Sequence, residues 1–68
     1  MNEIKINTDM IKLDSFLKWC GVVSQGSEAK IFIKDGVVKV NGEVETRRGR
    51  KLFKDDVVEF GVNAYKIV

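Results

Sequence analysis

The chain has 68 residues, and its 12 lysines and arginines against 10 aspartates and glutamates give a formal net charge of +2. A chain of this length forms one small domain, and a hydrophobic content of 44% is typical of globular rather than disordered proteins. With no histidine and one cysteine, the sequence excludes a disulfide scaffold, a zinc site built from Cys and His, and a catalytic pair that needs histidine.

The chain opens with alternating polar and apolar residues over Glu3–Asn7, which predict a short strand with Ile4 and Ile6 facing inward. Thr8 and Asp9 follow as candidate N-caps, because their side-chain oxygens can accept the free N–H groups of a first helical turn. We therefore expect the first helix to begin soon after them.

Two short helices are predicted next, each with one apolar stripe. The first stripe recurs at i, i+3, i+4 and i+7 and consists of Leu13, Phe16, Leu17 and Cys20, with Gly21 placed to end the helix. The second stripe follows a polar break and consists of Ala29, Phe32 and Ile33, with Gly36 at its end. Because the link between them is short, the two helices are expected to pack against each other.

The pair Asn41-Gly42 between β-branched residues predicts a hairpin, since both central residues of such a turn must adopt positive φ angles. A two-residue loop would place Val44 opposite Lys39, and a three-residue loop would place it opposite Val40. The sequence pattern fits both registers.

Two further strands are predicted, one over Asp56–Phe60 and one that contains Tyr65 and Ile67. Asp55 and Asp56 form the turn before the first of them. The predicted order of elements is therefore β-α-α-β-β-β-β.

Basic charge is concentrated in one segment, Arg47-Arg48-Gly49-Arg50-Lys51, which we call the basic loop. Four cations within five residues repel one another unless an anion lies beside them, and the planar fork of arginine suits phosphate oxygens. On composition alone, a solvated charged face and a nucleic-acid site are equally good interpretations. We expect these arginines to be exposed, so that their joint replacement by alanine would leave folding nearly intact.

For Asp14, an ion-pair or capping role is preferred to catalysis, because no acid–base partner stands at a usable spacing.

Several segments resemble one known family: Lys12-Leu13-Asp14, Phe16-Leu17, Ala29-Lys30, Gly36-Val37-Val38-Lys39-Val40-Asn41-Gly42, Lys51-Leu52 and Asp56-Val57-Val58. They resemble the RNA-binding domain first named for ribosomal protein S-four, also called the αL motif, over about residues 11–60. The basic loop is similar to that of small stand-alone bacterial proteins of the YaaA/YbcJ type. The resemblance implies a single RNA-binding domain over residues 1–68. Its fold class would be α+β, with two short packed helices against a small, mostly antiparallel sheet of four to five strands.

The resemblance also implies a set of RNA-binding residues: Lys12, Gln25, Lys30, Arg47, Arg48, Arg50 and Lys51. Gln25 and Gly26 stand where many members have Ser-Arg, which removes a cation from the second helix. The basic loop would therefore supply more of the RNA binding. Backbone N–H groups at the start of that helix would add donors for a phosphate. Asp55 replaces the family's usual glycine, so its turn is expected to differ in type.

We therefore expect a non-catalytic protein that binds structured RNA, with ribosomal RNA as the first candidate and transfer RNA as the second, in ribosome assembly or quality control. The alternative is a protein-interaction module whose arginine-rich loop docks an acidic partner. DNA binding in the manner of a helix-turn-helix is disfavoured, because the second helix offers few long polar side chains for base edges. We predict a cytoplasmic monomer with no cofactor, metal site, small-molecule substrate or membrane partner, since the thiol is unpaired and no apolar run is long.

Overall fold

The computed structural model describes all 68 residues as two helices and seven strands. In chain order they are β1 (Asn2–Ile4), β2 (Ile11–Lys12), α1 (Leu13–Trp19), α2 (Gly26–Lys34), β3 (Val38–Val40), β4 (Glu43–Val44), β5 (Lys51–Leu52), β6 (Val57–Phe60) and β7 (Asn63–Ile67). This order differs from the predicted one by the two short strands β2 and β5. Neither helix is long and apolar enough to cross a membrane.

The strands form two separate sheets. Five of them make one sheet in the order β1-β7-β6-β3-β4, in which only the β1–β7 pair is parallel. The strands β2 and β5 pair in antiparallel fashion as a two-stranded ribbon outside that sheet. The α+β class and the mostly antiparallel five-stranded sheet are confirmed. The ribbon was not predicted, because two residues are too few to show an alternating pattern.

One hydrophobic core joins the helices to the sheet. Its eleven buried residues include Leu13, Phe16, Leu17, Ala29 and Ile33 from the helices and Val38, Val40, Val58 and Ile67 from the sheet. The rings of Phe32 on α2 and Phe60 on β6 meet edge to face, with centroids 5.2 Å apart. Both predicted helical stripes therefore face the core. Cys20 is half-buried at its margin, and this burial raises the pKa of the Cys20 thiol.

The beginning of α1 differs from the prediction. Thr8 and Asp9 are wrong as N-caps, because the helix begins at Leu13 with Lys12 in the N-cap position. The hydroxyl of Thr8 instead donates to a nearby backbone carbonyl within the preceding turn. The strand β1 is also shorter than predicted and ends at Ile4. The helix can start without a side-chain cap because the basic loop supplies acceptors for its first N–H groups, as described below.

The turn at Asn41-Gly42 has two residues, which places Lys39 opposite Val44. Both turn residues have positive φ, 53° for Asn41 and 87° for Gly42, as this type of loop requires. The Asn41 amide also donates to the Asp56 carboxylate at 3.0 Å, which joins the turn to the start of β6. Of the two registers that the sequence left open, the structure adopts the one with the shorter loop.

Replacing Asp55 with glycine is expected to raise the free energy of unfolding by about 0.5–1 kcal/mol. Asp55 has a φ of 78°, where a residue with a Cβ atom is strained. The side-chain contact that would be lost is an exposed ion pair with Lys66 at 3.9 Å, which stabilises little. Urea denaturation of the wild type and Asp55→Gly would measure the difference.

Asp35→Gly is the matched control, because Asp35 is the C-cap of α2 and has an ordinary φ of −73°. Glycine relieves no strain there, so this variant is expected to be less stable than the wild type. A loss of stability in Asp55→Gly as well would show that the turn at Asp55 is not strained.

Candidate nucleic-acid interface

The basic loop is attached to the beginning of α1 by backbone hydrogen bonds. The N–H of Leu13 donates to the carbonyl of Arg50 at 2.8 Å, and the N–H of Asp14 donates to the carbonyl of Arg48 at 3.1 Å. These bonds satisfy N–H groups that have no acceptor within the helix, in the place of a side-chain cap. The loop consequently has a defined position at one end of α1.

The β2–β5 ribbon places Lys12 directly opposite Lys51. Both lysines are exposed, and neither takes part in an ion pair. Like charges that face each other across two strands repel, so an anion bound between them would relieve the repulsion. Two predicted RNA-binding lysines that are distant in sequence are thus neighbours in the structure.

Two arginines of the basic loop are held by one buried carboxylate, that of Glu45. It accepts hydrogen bonds from Nε and Nη2 of Arg47 at 3.0 and 3.1 Å, and from Nη1 of Arg50 at 2.9 Å. The side chain of Glu45 is 8% exposed, whereas that of Arg47 is 76% exposed. Glu45 therefore holds its partners from beneath, and much of the Arg47 guanidinium remains in solvent.

The third arginine of the loop is held by Asp14. Nε of Arg48 donates to Oδ2 of Asp14 at 3.1 Å, and the N–H of Ser15 donates to Oδ1 at 2.7 Å. The Arg48 side chain remains 51% exposed. The ion-pair interpretation of Asp14 is confirmed, and the contact adds a second connection between the loop and α1.

These ion pairs correct the expectation that the three arginines can be replaced without loss of stability. Replacing Arg47 and Arg50 with alanine would remove the guanidinium partners of the buried Glu45 carboxylate and leave it only the backbone N–H of Arg47, which is destabilising. Glu45 itself was missed as part of the site. The available signal was its position two residues before Arg47, but its burial depends on the folded chain and could not be inferred from spacing.

The hydrogen bonds from Arg47 and Arg50 lower the pKa of Glu45 from its ordinary value of 4.5 to about 2, and the contact with Glu45 raises the pKa of Arg47. The unfolded chain therefore binds a proton at Glu45 more readily than the folded chain does. The stabilisation from this carboxylate is complete above about pH 4.5 and is lost as the pH falls towards 2.

The stability difference between the wild type and Glu45→Gln is accordingly expected to be largest near pH 7 and to shrink as the pH falls from about 4.5 towards 2. Urea denaturation at a series of pH values would measure it. Glu43→Gln, which removes an exposed glutamate of the same hairpin, is the control for a change of charge alone. A difference between wild type and Glu45→Gln that is independent of pH would show that the ionised carboxylate is not what stabilises the loop.

The two predicted contacts on α2 form no hydrogen bond or ion pair with the basic loop. Gln25 is the N-cap of α2 and forms a reciprocal capping box with Glu28. The Glu28 carboxylate also accepts hydrogen bonds from the hydroxyl and N–H of Ser24, at 2.7 and 3.1 Å, and these lower the pKa of Glu28. A carboxylate thus already lies where a phosphate was expected. Lys30 is exposed, and the roles of Gln25 and Lys30 in binding RNA stay predictions.

Comparison with known proteins identifies the family. Residues 4–68 match the S4 domain, the family named after ribosomal protein S-four. The chain belongs to the S4 domain family. The predicted resemblance is confirmed, and the match extends beyond the residues on which the prediction was based.

Two bacterial relatives of this S4 domain have informative names. It is 46% identical over 68 residues to the "Probable ribosome maturation protein RlbA" of Bacillus subtilis (strain 168). That alignment covers 98% of this chain and 96% of the relative. It is 38% identical over 58 residues to the "Putative RNA-binding protein YbcJ" of Escherichia coli (strain K12). That alignment covers 85% of this chain and 83% of the relative.

Solved structures show the same fold. The solution structure of YbcJ from E. coli, described as revealing an αL motif involved in RNA-binding, is similar with a TM-score of 0.75 and 33% identity, over 100% of this chain and 87% of that one. A pseudouridylate synthase is similar with a TM-score of 0.68 and 26% identity, over 74% of this chain and 21% of the enzyme. The likeness to the enzyme is therefore confined to a small part of its length.

Proposed function

We propose that this S4 domain is a non-catalytic module that binds structured RNA through the basic loop and the ribbon lysines. The observation that carries the proposal is the grouping of five cations at the start of α1. Only two carboxylates, those of Asp14 and Glu45, form ion pairs with them. The five cations are Lys12, Arg47, Arg48, Arg50 and Lys51. The names of the relatives RlbA and YbcJ, one for ribosome maturation and one for RNA binding, support the proposal.

The geometry favours recognition of RNA shape and phosphates over recognition of base sequence. A-form RNA has a deep, narrow major groove that side chains cannot read, so its phosphates and 2′-hydroxyls are the accessible groups. Each loop guanidinium uses part of its donor set on a carboxylate and retains further N–H groups for phosphate oxygens. The exposed lysines of the ribbon add point charges beside them.

We further propose that the RNA is ribosomal and that binding serves ribosome assembly or quality control in the cytoplasm. The similarity to RlbA, over nearly the whole of both chains, supports ribosomal RNA ahead of transfer RNA. The working unit would be a monomer with one domain over residues 1–68 and its binding motif over about residues 11–60.

Purification of the tagged protein from its native cell at moderate salt, followed by sequencing of the bound RNA, tests the proposal. Enrichment of ribosomal RNA with the wild type, and its loss with the double variant Lys12→Gln/Lys51→Gln, is the expected result. Recovery of a stoichiometric acidic protein without enriched RNA would contradict it. That outcome would favour a protein-docking role for the basic loop, whose arginines already bond carboxylates within the chain.

A further inference from the structure

We propose that Glu45 is a positioning residue for RNA binding, whose negative charge strengthens the binding because it orients Arg47 and Arg50 towards phosphates. This inference rests on the proposed function and deepens it. It concerns a carboxylate that lies beneath a surface proposed to bind an anion, where its negative charge alone would weaken the binding.

The first step of the argument is that Glu45 is itself held by the core. Its N–H donates to the carbonyl of Val38 at 3.0 Å, and Val38 is a fully buried residue of β3. Its carboxylate is nearly inaccessible to solvent, so an anionic ligand approaching from outside meets the arginines first. The sheet, Glu45 and the two arginines thus form one connected path from the core to the surface.

The second step concerns which donors the carboxylate leaves free. An arginine has five N–H donors, and Glu45 uses Nε and Nη2 of Arg47, which form one side of the guanidinium. The Nη1 group of Arg47 keeps both of its N–H groups on a side chain that is 76% exposed. Arg50 is bonded through Nη1 alone and is 33% exposed. A phosphate can therefore bind the outer side of Arg47 without displacing Glu45.

The third step compares two opposing effects of Glu45. Ordering one flexible side chain on binding reduces affinity by about two- to twelvefold, and a side chain that is already ordered in the free protein avoids this loss. Against this, the charge of Glu45 weakens the local attraction for an anion. The two effects predict opposite outcomes when the charge is removed, so a single substitution separates them.

The test measures binding of a fluorescein-labelled RNA hairpin with an A-form stem, by fluorescence anisotropy at moderate salt. Glu45→Gln is expected to bind about two- to twelvefold more weakly than the wild type, although its net charge is more positive. The control Glu43→Gln makes the same change of charge at an exposed position of the same hairpin. It is expected to bind equally well or more tightly.

A second variant guards against an altered fold in Glu45→Gln. Arg47→Lys keeps the charge and leaves the Glu45–Arg50 pair in place. It removes the bidentate hydrogen bonding between residue 47 and the Glu45 carboxylate. It is expected to bind more weakly with an unchanged dependence on salt, because the number of cations is the same. In NMR spectra of the free protein, the Nε–H signal of Arg47 is expected to exchange rapidly with solvent in Glu45→Gln, while the backbone signals of the sheet remain in place.

The outcomes distinguish the inference from the function on which it rests. If the wild type does not bind the RNA hairpin, the proposed function itself is overturned. If the wild type binds and Glu45→Gln binds equally well or more tightly, only the positioning role is overturned. If the backbone of Glu45→Gln is altered, the affinity of Arg47→Lys for the RNA hairpin is the deciding measurement. Wild-type affinity in that variant would contradict the inference.

Discussion

Replacing Phe16 with alanine is expected to lower the free energy of unfolding by about 3–5 kcal/mol. Phe16 is fully buried on the core face of α1, and truncation would leave a cavity that the surrounding side chains cannot close. A core of this size supplies a net stability of only about 3–5 kcal/mol, so the variant is expected to be largely unfolded. Urea denaturation followed by the fluorescence of Trp19, the single tryptophan, would measure the change.

Phe53→Ala is the matched control for this substitution. It removes the same side chain from a position that is 50% exposed, so the expected loss of stability is below about 1 kcal/mol. Similar losses in the two variants would mean that the burial of Phe16 does not determine its contribution.

The second large effect is expected in RNA binding, for the double variant Lys12→Gln/Lys51→Gln. If each lysine contacts one phosphate, the affinity is expected to fall about thirtyfold at a salt concentration of about 0.1 M. The slope of log affinity against log salt, roughly −2 to −4 for the wild type, would become shallower by roughly 1.5. Stability is expected to be unchanged or higher, because the variant removes a repulsion between facing lysines. Salt-dependent anisotropy titrations and urea denaturation measure the two quantities separately.

Lys18→Gln is the control for the lysine variant. Lys18 lies in the last turn of α1, at the opposite end of the helix from the basic loop, and it is exposed without an ion pair. Its replacement is expected to change the affinity little. An equal loss per lysine in Lys18→Gln would show that overall charge, rather than the cluster at the start of α1, governs binding.

The parts of the fold that could be predicted are those that depend on neighbours in the sequence. The stripes around Phe16 and Ile33 follow the helical period, and Asn41-Gly42 follows the backbone requirements of a tight turn. The start of α1 could not be predicted in this way. Thr8 and Asp9 are good capping residues, but carbonyls of a distant loop satisfy the first N–H groups of the helix instead.

The candidate site was predictable in its charge and unpredictable in its geometry. The sequence shows the three arginines and the lysine of the basic loop directly. The pairing of Lys12 with Lys51 depends on a ribbon of two residues per strand, and the burial of Glu45 depends on the packing of the loop against the sheet. Contacts of this kind join segments that are distant in sequence, so no local pattern records them.

The parallel pairing of β1 with β7 has a consequence for the order of folding. β1 is the first strand of the chain and β7 is the last, and they are neighbours in the sheet, with Asn2 opposite Tyr65 and Ile4 opposite Ile67. The β3–β4 hairpin and both helices form from contacts between residues near in sequence, whereas β1 stays unpaired until β7 joins the sheet. Contacts between such distant segments slow folding, because a long loop must close before they are made. We expect the hairpin to form early and the β1 edge of the sheet to be completed last.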